Sequence, residues 1–288
     1  MRFLLFSILL VNLFLLNSCK KHVPADAVFF IKPSSVSVKT TTSNPNQGSG
    51  SHKITDLWLY VNGQFQGVYP SGNLLPIMSK GEKVKINIFG GIKNNGISST
   101  RLYYPFYDFI TLDTTIDNGK TVELPINFKY IASTTIPWVE NFEVGSNGVT
   151  LIKSPNPENH TDTTWKPAAP ADCFEGKSAE IGLTGAGKQA FLESSVPYPM
   201  TQGSGNVYLE INYKCNERFE VGVMSGITQK STLFVAPSET WNKIYIQLAD
   251  AVNRSPTSTS QKVYFKLVSS NETPYPKMFL DNIKLVYF

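Results

Sequence analysis

Few residues in this chain have the types and spacing that catalysis requires. It holds three histidines, His22, His52 and His160. None lies at a useful spacing from a nucleophile or from a second metal ligand. No Gly-x-Ser-x-Gly nucleophile elbow occurs. Gly182-Leu183-Thr184-Gly185-Ala186-Gly187-Lys188 has the spacing of a phosphate loop, but Gln189 stands where a magnesium-binding hydroxyl belongs. Pro197 also arrives too soon for the helix such a loop opens, so the segment reads as a glycine-rich turn. Glycoside hydrolysis needs two facing carboxylates, and the acids here are scattered. The expectation is a chain that binds and does not catalyse.

Binding chemistry is better represented. Aromatic rings stack on sugar faces, and Trp165, Tyr198 and Tyr275 lie in expected loops, so they are the candidate contacts for a polysaccharide. Trp165 sits between Thr163-Thr164 and Lys166-Pro167, a surface-like setting. Trp241 opens a strand as Thr-Trp-Asn-Lys-Ile and is expected in the core. Trp58 shares a strand face with Asp56 and Tyr60 and is expected to be partly exposed. Cys173 and Cys215 have two readings, a disulfide or two buried thiols. Closing a loop of that length would contribute about 4 kcal/mol on the chain-entropy model.

A third chemistry lies at Cys19. Met1 and Arg2 give a positive start, Phe3 to Leu16 is almost wholly apolar, and Leu16-Asn17-Ser18-Cys19 closes the run. That order is the layout of a secretory signal over 1–18, and the apolar run is short for a transmembrane helix. Leu16, Ser18 and Cys19 resemble the lipobox of bacterial lipoproteins. The resemblance implies cleavage before Cys19 and lipid on its thiol and amino group, which would anchor the chain in a bilayer. Lys20 and Lys21 follow, with neither an inner-membrane-retaining aspartate nor an acidic surface-export run. The expected address is the outer membrane, and nothing in the sequence sets which side the chain faces.

The elements that must position these residues are strands. The 288 residues include 20 glycines and 18 prolines, with 17% charged and 12% aromatic residues, a composition of globular, turn-rich chains. The formal net charge of +4, one less without Arg2, is too mild and too spread to indicate nucleic acid. Such a length suits two domains. After a tether over 19–27, Val28 to Ile31, Ile54 to Val61, Gln64 to Tyr69, Lys83 to Phe89, Phe106 to Leu112 and Thr121 to Tyr130 read as strands. Asn62-Gly63 reads as a tight hairpin turn. Residues 40–52 form a polar loop with no packing potential. The first half, 28–132, reads as a β-sandwich.

Ser133 to Pro137 reads as the join to a second sandwich over 137–288. Its expected strands are Glu140 to Val144, Ser178 to Leu183, Val207 to Tyr213, Phe219 to Met224, Lys243 to Leu248, Lys262 to Val268 and Met278 to Phe288. Val207, Leu209, Ile211 and Tyr213 share one face, and Tyr208, Glu210 and Asn212 the other. The last strand is apolar on both faces, with Phe279, Ile283 and Leu285 against Leu280, Val286 and Phe288. It is therefore expected mid-sheet. The fold class is all-β, two tandem β-sandwiches.

Several segments of the second half resemble the jelly-roll carbohydrate-binding-module superfamily, which includes galactose-binding-like domains. They are Asn141-Phe142-Glu143, Cys173 to Ala179, Thr240 to Ile246 and Phe279 to Leu285. The first half resembles the Ig-like or transthyretin-like domains of Bacteroidota outer-membrane lipoproteins, through Ile54 to Gly63 and the Gly90 to Gly96 loop. The jelly-roll resemblance implies a second sandwich of that type and a structural calcium held by Glu143 and Asp281. The alternative for Asp281 is an Asp-Asn bulge whose carboxylate binds backbone amides. Asp113-Thr114-Thr115 and Asp162-Thr163-Thr164 resemble the Bacteroidota O-glycosylation site. Taken together, the expectation is a lipid-anchored, non-catalytic envelope protein whose second sandwich binds glycan and whose first is a spacer. The competing expectations are a fimbrillin-like structural protein, or a periplasmic partner of an outer-membrane complex.

Overall fold

The computed structural model describes residues 27–41, 46–79, 81–143, 148–200, 202–203, 205–255 and 260–288. The leader over 1–18, Cys19, His22 and most of the tether lie outside the described residues, as does Val144.

The first half packs two sheets. One has the order β4-β1-β8, from β1 (Ala27–Lys39), β4 (Leu75–Ser79) and β8 (Thr121–Lys129), with β1 and β8 parallel. The other runs β3-β2-β5-β6, from β2 (Asp56–Val61), β3 (Gln64–Pro70), β5 (Val84–Lys93) and β6 (Arg101–Tyr103); β7 (Ile110–Thr114) also pairs with β5. Strict alternation builds the core between them. Leu57, Leu59 and Val61 of β2, and Val84, Ile86 and Ile88 of β5, are all buried against Phe29, Ile31, Ile77 and Phe128. Asn62 and Gly63 both take positive φ, 50° and 78°, which the twist of a two-residue hairpin requires.

The second half contributes β9 (Thr135–Glu140), β10 (Leu151–Lys153), β11 (Lys166–Pro167), β12 (Ala179–Gly182), β13 (Gln189–Ser194), β14 (Tyr198–Pro199), β15 (Val207–Cys215), β16 (Phe219–Ser225), β17 (Thr228–Val235) and β18 (Ser238–Gln247). A short helix, α1 (Ala249–Asn253), precedes β19 (Ser260–Val268) and β20 (Lys277–Tyr287). One sheet runs β10-β13-β19-β16-β17 and the other β11-β12-β20-β15-β18. Take β12, β13 and β15 to β20 as eight successive strands. The first, eighth, third and sixth then lie side by side in one sheet, and the second, seventh, fourth and fifth in the other. That is jelly-roll winding. The fold class is thus all-β, with two sandwiches in tandem.

β20 is central, as expected, pairing with β12 and β9 along one edge and β15 along the other. Its faces differ from the alternation read in the sequence. Asn282 adopts a φ of 47°, and the pairing with β15 slips by one residue there. This is a β-bulge, and asparagine tolerates the left-handed conformation. Met278 and Leu280 therefore share the sandwich core with Ile283, Leu285 and Tyr287, while Lys284 and Val286 face the other way.

Other expectations also need correction. β9 ends at Glu140 and does not continue to Val144, because the Glu140 carboxylate accepts hydrogen bonds from Phe142 N and Thr150 N and turns the chain. Phe106 and Tyr107 precede β7 in a turn, although both are buried. The 46–52 part of the 40–52 loop does pack. Gly48 is buried with a φ of 64°, and a Cβ there would lie 2.8 Å from Val139 Cγ1. Only glycine lets this loop lie against β9. β4, β6, β10, β11, β13, β14 and β17 have no counterpart among the expected strands.

Candidate binding groove

The outer face of the sheet containing β15, β18 and β20 is covered by the first half. Asn94 and Asn95, at the end of β5, dock on β18: Asn95 N donates to Tyr245 O at 2.9 Å and Gln247 N to Asn95 Oδ1 at 2.9 Å. Tyr208, Tyr245 and Val286 complete the apolar core of the first half. Within this seam lies a cluster of charges. Glu210 is 0% exposed; its Oε1 accepts from Tyr104 OH at 3.0 Å and Tyr130 OH at 2.7 Å. Lys243 Nζ lies 2.9 Å from Glu210 Oε2, an ion pair without hydrogen-bond alignment. Lys284, directly opposite Glu210 across the strands, donates to Ser49 O at 2.5 Å.

The electrostatics of the cluster follow from burial. Desolvation opposes the charge on Glu210, but Lys243 and Lys284 outweigh it and hold the carboxyl below its usual range. Burial drives Lys284 down to about 7 against the pull of Glu210. Tyr104, Tyr107, Tyr130 and Tyr245 are all pushed up, first by burial and then by neighbours that include Glu210, so they remain neutral donors.

At the edge of this seam a groove of about 550 Å³ opens, lined from both halves. Trp241 and Phe174 form its aromatic wall, their ring centroids 5.5 Å apart and tilted by 52°. Trp241 Nε1 donates to Asp172 O at 3.0 Å, which fixes the indole while leaving it half-buried. Asn212 and Lys243 lie at the base, and Ser51, His52 and Lys53 come from the first half. Asn212 Oδ1 is buried without a hydrogen-bond partner, an unsatisfied acceptor of the kind ligands complete. His52 Nδ1 accepts from Ile54 N at 3.3 Å, so Nε2 carries the proton toward Val36 O at 3.1 Å. Burial, first of all, lowers the His52 pKa and keeps it neutral. A hydrogen bond from Lys53 Nζ to Asn242 Oδ1 bridges the seam, and beyond it lies a second cavity of about 310 Å³.

The aromatic candidates read from the sequence do not form one site. Tyr198 is 8% exposed and stacks on Trp138 at 5.8 Å, within the core. Trp165 packs on that core beside Phe142, at 5.7 Å. Tyr275 is exposed, in the loop before β20. Trp241 is the reverse case: it lies outside the core and walls the groove. The strand's parity carries the signal, because Trp241 shares a face with Lys243 and Tyr245, while Ile244 and Ile246 supply the core.

Glu143 and Asp281 do line one cavity, with Glu175. Asp281 Oδ2 accepts from Ser178 Oγ at 2.7 Å and Glu175 N at 3.2 Å, and Oδ1 from Asn282 N at 2.7 Å. Glu143 Oε1 accepts from Lys177 N at 2.6 Å. Among the described residues no three His, Cys, Asp or Glu side chains converge as a metal-binding group. In this structure Asp281 forms the Asp-Asn bulge in which backbone amides bind the carboxylate. Cys173 and Cys215 are free thiols, and burial pushes Cys215 up to about 11. The glycine-rich segment is the turn between β12 and β13, with Gln189 opening β13. His160 Nε2 lies 3.1 Å from Asp162 Oδ1 at the surface.

No family model matches the chain and no curated protein matches it. Among solved structures, the chain is similar to a carbohydrate-binding module of family 29, with 10% identity over 54% of this chain and 87% of that one, at a TM-score of 0.32. It is likewise similar to the family 11 carbohydrate-binding module of the cellulosomal cellulase Lic26A-Cel5E of Clostridium thermocellum, with 14% identity over 55% of this chain and 97% of that one, at a TM-score of 0.36.

Proposed function

We propose that this chain is a non-catalytic, lipid-anchored protein of the cell envelope that binds glycan in the seam groove. The observation that carries the reading is the half-exposed Trp241 ring beside Asn212 Oδ1, a buried acceptor with no partner. A ring face for the sugar's C–H surface and a fixed acceptor for its hydroxyls are the two contacts saccharide recognition combines. The lack of catalysis is read from the histidines. His52 is held neutral with both ring nitrogens engaged, and His160 is bound to a surface aspartate. Anchoring rests on the lipobox at Cys19, and Cys19→Ala should release the protein from the membrane fraction.

The direct test is titration calorimetry of the full chain against a broad polysaccharide panel, with Trp241→Ala as the control. Binding that Trp241→Ala abolishes supports the reading, and silence across the panel ends it. The donor-strand form of the fimbrillin-like alternative requires β20 to leave its sheet. With β12, β15 and β9 all hydrogen-bonded to it, that departure would dismantle the second sandwich.

A further inference from the structure

The side chains that line the groove carry charge of one sign. Lys53 and Lys243 line it, and among its described lining residues there is no aspartate or glutamate. The adjoining cavity shares Lys53 and Lys243, adds Lys93, and is likewise lined by no acid. Glu210, the carboxylate of the seam, is not among the lining residues and pairs with Lys243. It is 0% exposed, and two tyrosines and Lys243 already take its oxygens. Lys284, opposite Glu210 across the strands, adds a second lysine to the field of that one carboxylate, so the seam holds more lysines than acids. Lys243 Nζ, whose side chain is 2% exposed, has Glu210 Oε2 as its partner, at 2.9 Å.

We infer that the groove accepts a saccharide bearing a carboxylate, a uronate-type residue, with the sugar ring on Trp241 and the acid group toward Lys53 and Lys243; this rests on the glycan reading above. A site for neutral sugars gains from side-chain carboxylates, which accept two hydroxyl protons at once. This lining offers amides, hydroxyls and ammonium groups in their place. Burial lowers the Lys53 pKa, and repulsion from Lys93 lowers it further; a bound anion would offset both effects at Lys53. The cations are lysine point charges and not the planar fork of arginine that favours bidentate phosphate binding. The Trp241–Phe174 wall would also be idle with a bare anion.

The test is calorimetry of the full chain with polygalacturonate, alginate and hyaluronate, each paired with its carboxyl-reduced neutral form. Inorganic phosphate and ATP serve as anion controls. At least one acidic polymer should bind, with affinity falling as salt rises and dropping ~10-fold or more on carboxyl reduction. Lys53→Gln should weaken that binding by a similar ~10-fold factor with the melting temperature unchanged, and Trp241→Ala should abolish it. Equal binding of the acidic and reduced forms, or binding of neutral polymers alone, would overturn the carboxylate inference and leave glycan binding standing. Silence toward every polymer would overturn both. Tighter binding of phosphate or ATP, or acid binding indifferent to Trp241→Ala, would make the groove an anion site without a saccharide.

Discussion

On the outer face of β2, β3, β5, β6 and β7, six aromatic rings lie side by side. Trp58, Tyr60, Phe65, Phe89, Tyr103 and Phe109 contact one another at centroid distances of 4.8 to 5.9 Å. Phe65, Tyr103 and Phe109 are 52%, 44% and 44% exposed. On the outer face of β15, β18 and β20, by contrast, Glu210, Lys243 and Lys284 are sealed from water. Transfer energies alone would favour the reverse arrangement. The difference lies in what each side chain finds locally. The rings shield one another's edges, and a cluster of that kind tolerates water on one side. The buried charges have an ion pair, two tyrosine hydroxyls and a backbone carbonyl, so the cost of desolvation is largely offset. Burial in this molecule follows from how the two sandwiches meet as much as from residue type.

The largest effect separating the two faces should come from Glu210. Glu210→Leu leaves Lys243 and Lys284 without a counter-charge, and the expected loss is about 3–5 kcal/mol in urea unfolding. A loss below about 1 kcal/mol would mean that water reaches the seam. Next comes pH. Lys284 is depressed from 10.5 to about 7 in the fold. As pH falls through that window the unfolded chain takes up a proton and the folded chain does not, so stability declines from pH 10.5 to about 7 and then levels. Lys284→Met should remove that slope in unfolding measured across the range, and an unchanged slope would assign it to another group.

The aromatic face should respond less. Phe109→Ser removes one exposed ring and one stacked contact, for about 1 kcal/mol or less by the same measurement. A loss comparable to that of Glu210→Leu would place the rings in a covered interface. The smallest effect is expected at Asp281, where three protein donors hold the carboxylate: a chelator should leave the melting midpoint unmoved. An upward shift on adding calcium would reinstate the metal.

Local pattern made some of this legible. The alternation of Lys83 to Phe89 and the Asn62-Gly63 pair needed no knowledge of the rest of the chain. β13 escaped because it is buried on both faces, so Gln189 to Ser194 shows no period. β17 escaped because it is a polar edge strand, Thr228 to Val235. The groove was hidden for a different reason. Asn212, Lys243 and Lys53 become neighbours only through strand pairing and the docking of the two halves, and no sequence spacing encodes that. Trp241 was within reach, since two residues on, Lys243 shares its face. Tyr198 shows the opposite error, a loop-like setting before Pro199 that in fact presses its ring onto Trp138.

The single extra residue at Asn282 behaves as a phase shift in a wave of period two. Before it, even-numbered side chains enter the jelly-roll core; after it, odd-numbered ones do. Without that shift, Lys284 would point among Leu209, Ile211 and their neighbours, and Ile283 and Leu285 would face the seam. The bulge that absorbs Asn282 thus decides which half of the molecule receives the charge. Deleting Asn282 would leave a plain strand in which Leu280, Ile283 and Leu285 still enter the core, whereas forcing the full sequence into a regular strand would exchange the contents of the sandwich core and the seam in a single step.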